Sequence, residues 1–228
     1  MTSAKSTTRS GEVYEQIKDE ILRAKLEPGQ RLRFVELAER FAVSQSVVRE
    51  ALTRLAGEGL ATAAPQQGFR VVTLSLKDLN ELTETRCEIE PLAFRYAIER
   101  GDLSWESMLV AAHHQLAATP TVTADGELNA QWFDVHERFH QALLAGCGNE
   151  RLLAVALSLR NSASLYLHWS RPVGHDYDRD IAGEHRGLLE AAIARDTELA
   201  STRLRNHIER TTQSLLAATK AGPAASER

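Results

Sequence analysis

The sequence is poor in cysteine, has no long apolar run and carries no excess of positive charge. Its two cysteines, Cys87 and Cys147, match neither a redox pair nor a metal-ligand motif in their spacing, so both are predicted to be reduced thiols. No apolar stretch approaches the length that a membrane-spanning helix needs, and the first residues are polar, unlike a signal peptide. A cytoplasmic protein without membrane contact is therefore expected.

The formal net charge of -4 at first argues against a nucleic-acid partner. Residues 1–74, however, carry 11 Lys and Arg against 9 Asp and Glu, whereas the remainder carries 16 against 22. The basic charge is therefore concentrated in the first third of a chain whose 228 residues suit two domains. Because the excess in the first third is small, binding to nucleic acid is expected to need a dimer, which doubles the phosphate contacts.

The segment Glu36–Leu60 has the pattern of two helices joined by a tight turn. Ser44 is a suitable N-cap for the second helix, and Gly59 is a suitable residue just beyond its end. The second helix then presents a polar and basic face that can enter a DNA major groove. An ordinary helical hairpin is the alternative, and the flanking segments argue against it. The polar face consists of Gln45, Ser46, Arg49, Thr53 and Arg54.

The flanking segments complete a winged helix-turn-helix over residues 11–74. Upstream, an amphipathic helix is predicted to end at the turn pair Pro28-Gly29. Downstream, two short extended runs surround residues 65–68 and predict a two-stranded hairpin, the wing. Residues 1–10 and 222–228 are predicted to be disordered tails. The apolar positions of the upstream helix are Val13, Ile17, Ile21 and Leu26.

Several motifs in this region, in order, resemble the DNA-binding domain of the GntR family of bacterial transcription regulators: LEPGQRL, LAERFAVS, VREALTRLAGEGL and the wing glycine. The resemblance implies a homodimer on a palindromic double-stranded DNA operator. The chain departs from the family at Gln45, where Arg is common, and at Val47, where Pro or Thr is common, so its operator is expected to differ. The residues expected at the DNA are Arg33, Gln45, Ser46, Arg49, Arg54, Gln67 and Gly68.

Residues 75–221 show helical periodicity and no strand pattern, which predicts an antiparallel α-helical bundle in a mainly α protein. Gly, Pro and Asn residues interrupt the periodicity. The candidate helices are 76–100, 104–118, 124–146, 149–170, 176–195 and 197–219.

Four of the eight histidines lie on apolar faces of these helices. His136 and His140 are one helical turn apart, while His185 and His207 each lie on a later helix. One such histidine is usually a satisfied core residue, but four on three helices each need a partner, and one metal ion would satisfy all four. Imidazole ligands without carboxylates favour Zn, Ni, Co or Cu over Mg or Ca. One divalent transition metal per subunit is predicted, zinc ahead of nickel.

This region also resembles the FCD ligand-binding domain found in the FadR branch of the same family. Metal-binding members place an Asp and a His one turn apart on one helix, and a His on each of two later helices. The matching positions here are His136, His140, His185 and His207. The departure is His136, where the family usually has Asp. An all-histidine set makes the site more cationic by one unit, which is expected to tighten the binding of an anionic effector.

Arg86 lies within an apolar stripe of the first bundle helix, and an inward-facing guanidinium is costly unless it is paired. A structural salt bridge is one interpretation. The other is a small carboxylate effector, which an Arg fork binds through two parallel hydrogen bonds. An Arg in metal-binding FCD domains is similar in placement, which favours the effector. The stripe consists of Leu79, Leu82, Arg86, Ile89, Ala93 and Ala97.

The run His136-Glu137-Arg138-Phe139-His140 also matches H-E-x-x-H, the signature of zinc metallopeptidases. In those enzymes three protein ligands are typical and one metal position stays open, whereas here a fourth histidine competes for it. Glu137 is expected on a solvated charged face, and a DNA-reading domain has no use in a peptidase. A non-enzymatic repressor, released from its operator by a carboxylate, is therefore the favoured interpretation.

Overall fold

The computed structural model describes residues 8–23, 25–64, 68–73, 75–126, 129–169 and 179–220. The chain divides into two compact units, the first comprising residues 1–79 and 161–171 and the second residues 80–160 and 172–228. The predicted tail 222–228 and residues 1–7 of the other predicted tail lie outside the described residues. Among the described helices, none is long and apolar enough to span a membrane.

The first helix, α1 (Arg9–Leu22), begins within the predicted N-terminal tail and ends before Pro28. It begins early because the Thr8 side chain accepts a hydrogen bond from the Gly11 amide at 3.2 Å and caps the helix. Beyond Leu22 the chain turns so that the Leu26 amide donates to the Glu20 carbonyl and the Leu26 side chain remains buried. The predicted apolar positions therefore reach the core, although the helix is shorter than the periodicity indicated.

The helix-turn-helix consists of α2 (Phe34–Arg40) and α3 (Gln45–Gly57). Ser44 has the predicted N-cap role, since its side chain accepts from the Val47 amide at 3.4 Å. Gly59 has a φ of +74°, the left-handed conformation that ends many helices and that glycine adopts without steric cost. Both ends of α3 are thus determined by local sequence.

The predicted two-stranded hairpin of the wing is present, and a third strand extends it into a three-stranded antiparallel sheet. Strands β2 (Ala61–Ala64) and β3 (Gly68–Val71) form the hairpin, and β1 (Arg31–Leu32) pairs with the other edge of β3. Two residues preceding α2 carry too short a pattern to indicate a strand. They become one because the open edge of β3 offers them hydrogen-bond partners.

The C-terminal half of α7 (Glu150–Trp169) contributes to the first unit, which sequence analysis did not indicate. Leu165 is 1% exposed and belongs to the same core cluster as the apolar residues of α1 and α3. The Tyr166 hydroxyl donates to the Asp78 carboxylate at 2.5 Å. The first unit is therefore completed by a segment about 90 residues further along the chain.

Replacing Leu165 by alanine is expected to destabilise the first unit by about 2–5 kcal/mol, because the truncation leaves a cavity where a side chain that is 1% exposed now packs. Urea unfolding followed by circular dichroism measures the change. Val155→Ala on the same helix is the matched control, since Val155 is half exposed and its truncation should change stability by no more than about 0.5 kcal/mol. Equal effects of the two substitutions would contradict the role given to Leu165.

The second unit is built from helices close to those that the periodicity predicts. Two of them begin later than predicted, because Asn129 and Asp180 cap them through hydrogen bonds to the amides of Gln131 and Gly183. Cys87 and Cys147 are both free, as predicted, and both are buried. Besides α7, the helices are α4 (Leu76–Arg100), α5 (Leu103–Ala118), α6 (Ala130–Ala145), α8 (Ile181–Ile193) and α9 (Thr197–Lys220).

Candidate metal centre and DNA-reading surface

Three helices of the second unit bring four histidines together. α6 contributes His136 and His140, α8 contributes His185, and α9 contributes His207. One ring nitrogen from each lies within 4.8 Å of the others, and Nε2 of His140 lies 3.3 Å from Nε2 of His185. Each residue is 9% exposed or less. The structure thus places the four predicted ligands around one point.

The donor set fits a transition-metal ion. Nitrogens bound tetrahedrally at zinc distances are separated by ~3.4 Å, close to the separation of the His140 and His185 nitrogens. Within the described part of the chain, His140 Nδ1 is buried without a hydrogen-bond partner. This atom is not the Nε2 that faces His185, so the fit to an ion rests on the spacing and chemistry of the four donor nitrogens.

Burial favours the neutral form of all four imidazoles, which is the form that binds a metal ion. Burial lowers the pKa of His136, His140 and His185 well below its ordinary value, and the neighbouring arginines and histidines act in the same direction. Burial also lowers the pKa of His207, despite its hydrogen bond with Glu184. Neutral rings offer lone pairs to an ion without first releasing protons.

Aromatic side chains fix the orientations of these rings. Trp132 stacks on His136, with ring centroids 4.6 Å apart and an interplanar angle of 22°. Phe139 makes edge contacts with His140 and His185, each at 5.4 Å. His113 also contacts the ring of Phe139, at a centroid distance of 5.5 Å. The cluster therefore has an apolar wall that excludes water and limits ring rotation.

Arg86 is buried, and its Nε donates to Glu90 Oε1 at 2.5 Å. Glu90 also accepts from Arg160, which in turn contacts both oxygens of Glu137 at 3.0 and 3.3 Å. Sequence analysis missed Arg160 and Glu90. The available signals were an Arg-Glu pair four residues apart and a single charge within an apolar run of α7. Arg86 thus has the salt-bridge partner that the structural interpretation requires, namely Glu90. The Arg86 guanidinium belongs to a charged network near the histidines.

Sequence analysis also missed Arg179 and Glu184. The Glu184 carboxylate accepts from Arg179 Nη2 at 2.6 Å and lies 2.8 Å from His207 Nδ1. Burial alone raises the pKa of Glu184, but hydrogen bonds from His207 and Arg179 lower it well below its ordinary value. The position of Glu184 next to His185 was only a weak indication of a role at the site. Arg179 lies in a stretch without helical periodicity, so no pattern pointed to it.

The polar face of α3 is an exposed surface lined by Gln45, Ser46, Arg49 and Arg54. The Arg49 guanidinium lies over the Phe34 ring, 4.6 Å from its centroid. The Arg54 guanidinium lies 3.7 Å from the Tyr14 ring centroid, and its Nε is 3.6 Å from Glu58. Both cations are therefore oriented by neighbouring side chains before DNA arrives.

A second concave surface lies between the wing and α2. Gly68 has a φ of +82°, and a Cβ at this position would lie 3.5 Å from the Phe34 ring. Arg33 precedes α2 and donates to Glu36 at 2.8 Å. Gln67 lies outside the described residues. Arg31, which sequence analysis did not select, lines the same surface as Arg33 and Gln45.

Two family models match the chain: "Bacterial regulatory proteins, gntR family" over residues 9–71 and "FCD domain" over residues 81–210. The HTH-type transcriptional repressor GlaR of Escherichia coli K12 is 32% identical over 205 residues, which cover 89% of this chain and 93% of GlaR. The chain belongs to the GntR family of bacterial transcription regulators and carries an FCD domain.

Two further comparisons agree. The uncharacterized HTH-type transcriptional regulator BphR of Paraburkholderia xenovorans LB400 is 32% identical over 202 residues, covering 86% of this chain and 80% of BphR. The solved structure of Escherichia coli McbR/YncC has a TM-score of 0.77 at 24% identity, covering 93% of this chain and 99% of that one, and therefore has the same fold. The predicted family and fold class are confirmed.

This GntR-family protein is a DNA-binding transcription regulator and not an enzyme. The peptidase alternative finds no support in the structure either. Glu137, expected on a solvated face, instead holds Arg160 with both carboxylate oxygens. Although burial alone raises the pKa of Glu137, Arg160 lowers it below its ordinary value, which weakens it as a base. Residues 136–140 therefore share the spacing of a zinc peptidase without its general base.

Proposed function

We propose that this regulator is a metal-dependent repressor that a small carboxylate releases from its operator in the cytoplasm. The observation that carries the proposal is the convergence of four buried histidine nitrogens within 4.8 Å. His136, His140, His185 and His207 would hold one divalent transition metal per subunit. An all-nitrogen donor set suits zinc first and nickel next. When bound, the metal supplies a Lewis-acidic centre for a carboxylate oxygen.

The charges around the histidines favour an anionic effector. The buried arginines Arg86, Arg160 and Arg179 carry three positive charges that their partners Glu90, Glu137 and Glu184 balance, and the half-exposed Arg210 adds a fourth positive charge 2.9 Å from Glu184. With four neutral imidazoles, the two charges of a bound ion remain uncompensated in a buried site, which is unfavourable. A carboxylate effector supplies the missing negative charge. Arg86 is the group proposed to bind it, because within the described part of the chain its Nε donates to Glu90 and its two Nη nitrogens have no protein acceptor.

The DNA contacts proposed for the head follow from the exposed α3 face and the wing. Arg49 and Arg54 contact phosphates or guanines, while Gln45 and Ser46 contact base edges or backbone. Arg33, Gln67 and Gly68 contact the flanking backbone or groove. Two heads in a homodimer bind the half-sites of a palindrome. Repression is the proposed mode because GlaR, a relative over most of the chain, is a repressor.

Release requires only that the effector prefer the arrangement of heads that does not fit the operator. A 100-fold preference corresponds to about 2.7 kcal/mol, which is within the range of natural allosteric coupling. Because coupling is reciprocal, bound operator DNA should weaken the affinity of the protein for the effector by the same factor.

Arg86→Met is expected to abolish carboxylate binding while metal content stays unchanged. The metal-loaded protein is screened by thermal shift against lactate, gluconate, succinate and glutamate, which represent hydroxy, sugar, dicarboxylic and amino acids. A hit at 100 times its dissociation constant stabilises the native state by about 2.7 kcal/mol. The same hit should then release a DNA duplex taken from the promoter of the regulator's own gene, measured by fluorescence anisotropy.

Arg95→Met is the matched control, since Arg95 lies on the same helix and forms a surface pair with Glu99 at 3.8 Å. It should keep the full response to the hit. A carboxylate that stabilises wild type and Arg86→Met equally would remove Arg86 from the effector site. DNA binding that ignores every stabilising carboxylate would exclude the proposed release.

A further inference from the structure

The Glu184 carboxylate is the shared partner of several polar groups in a partly buried cluster beside the histidines. Its Oε1 accepts from Arg179 Nε at 3.0 Å and lies 2.9 Å from Arg210 Nη1. Its Oε2 accepts from Arg179 Nη2 at 2.6 Å and lies 2.8 Å from His207 Nδ1. The Arg179 side chain is 4% exposed and that of Glu184 is 15% exposed. Four polar contacts thus meet on this carboxylate of α8. Two come from Arg179, which precedes the N-cap of α8, and two come from α9.

The His207 Nδ1 has two neighbours that make opposite demands. Toward Glu184 at 2.8 Å, Nδ1 must carry the proton and donate it, whereas toward Arg179 Nη2 at 3.3 Å it would have to accept one. Arg179 Nη2 already has better acceptors in Glu184 Oε2, the His207 carbonyl at 3.2 Å and Thr211 Oγ1 at 3.0 Å. The shorter contact, with Glu184, therefore determines the tautomer of His207, and Nδ1 carries the proton.

We infer that Glu184 is a positioning residue for the metal centre: it holds His207 in the Nδ1–H tautomer and thereby turns the Nε2 lone pair toward the ion. Arg179 and Arg210 occupy the remaining lone pairs of the carboxylate and keep it from becoming a ligand itself. The inference rests on the proposed metal site. A carboxylate behind a ligating histidine also raises the basicity of the ring, which strengthens the bond to the metal.

A purely structural role for Glu184 is the competing explanation, because Arg179 and Arg210 tie it to α9 in any case. The tautomer of His207 separates the two. In metal-free wild-type protein at neutral pH, long-range ¹H–¹⁵N correlation spectra distinguish Nδ1–H from Nε2–H imidazoles, and the His207 signal is identified by its loss in His207→Gln. The inference requires Nδ1–H. A purely structural carboxylate sets no such requirement.

Glu184→Gln, which keeps the shape and removes the charge, is expected to weaken Ni²⁺ and Zn²⁺ binding by about 10- to 100-fold. Affinities are measured by competition with a chromophoric chelator after the protein has been stripped with EDTA. Glu190→Gln is the matched control, because Glu190 lies on the same helix, is 63% exposed and is 3.8 Å from Arg203. Its affinities should equal those of wild type.

Unchanged metal affinity in a folded Glu184→Gln, or an Nε2–H tautomer of His207 in wild type, would overturn the inference. If Glu184→Gln loses its helical circular dichroism, the tautomer of wild type alone decides. Failure of wild type to bind either ion would instead sink the proposed metal site, and the tautomer measurement would still report whether Glu184 orients His207.

Discussion

Protein purified without chelator is expected to contain about one equivalent of zinc or nickel per chain, and His185→Ala is expected to contain almost none. His185 is 3% exposed, and its Nε2 is 3.3 Å from that of His140, so alanine removes one of the four proposed ligands. Elemental analysis by inductively coupled plasma mass spectrometry measures both contents directly.

His114→Ala serves as the control, because His114 is exposed and outside the cluster. It should retain the metal content of wild type. Stripping wild type with EDTA should lower its melting temperature, since an ion at 100 times its dissociation constant contributes about 2.7 kcal/mol to the native state. EDTA should leave the melting temperature of His185→Ala unchanged. A wild-type protein that contains no transition metal would refute the proposed centre, while its place in the GntR family would stand.

Arg160→Ala is expected to destabilise the second unit by about 3–5 kcal/mol, the largest stability effect anticipated for a single substitution in this chain. Arg160 is 4% exposed and lies between Glu90, whose side chain is 1% exposed, and Glu137. Removing the guanidinium leaves Glu90 with Arg86 alone and Glu137 without its cation. Since a buried carboxylate that loses its partner costs more than the ion pair contributed, the loss exceeds that of a surface salt bridge.

Urea unfolding of wild type, Arg160→Ala and Arg151→Ala tests this expectation. Arg151 is exposed at the start of the same helix, so its truncation should change the stability by no more than about 0.5 kcal/mol. The double substitution Arg160→Met with Glu137→Gln should recover part of the loss, because it also removes the carboxylate charge that loses its cation and leaves the Arg86–Glu90 pair in place. Similar stability of Arg160→Ala and Arg151→Ala would show that the network contributes little.

Local sequence determined the helix-turn-helix because the signals involved act over a few residues. Ser44 caps α3 and Gly59 ends it, and the periodicity of apolar residues locates most bundle helices within a few residues of their observed ends. The same periodicity placed four histidines on the inward faces of their helices. If these helices pack into one bundle, inward-facing side chains come close together, so the meeting of the four histidines could be predicted. The third strand, β1, could not be predicted because two residues are too few to show the alternation of a strand.

The charged network illustrates what a sequence does not encode locally. The contacts of Arg160 with Glu90 and Glu137 join residues 70 and 23 positions apart, and the link between Glu184 and His207 spans 23. Glu137 looked solvated because its helix neighbours are charged, yet a cation from another helix lies against it. Charge on a helix surface says nothing about the element that covers it.

The sequence alone was sufficient to predict a GntR regulator with a winged head and a helical FCD domain, because the order of motifs and the helical periodicity can be seen in the chain itself. Only the tertiary structure decided which polar side chains are buried together, that Leu165 completes the head, and that Glu184 stands behind His207. Such partners are chosen by packing between distant segments, where burial makes an unpaired charge or nitrogen too costly to leave alone.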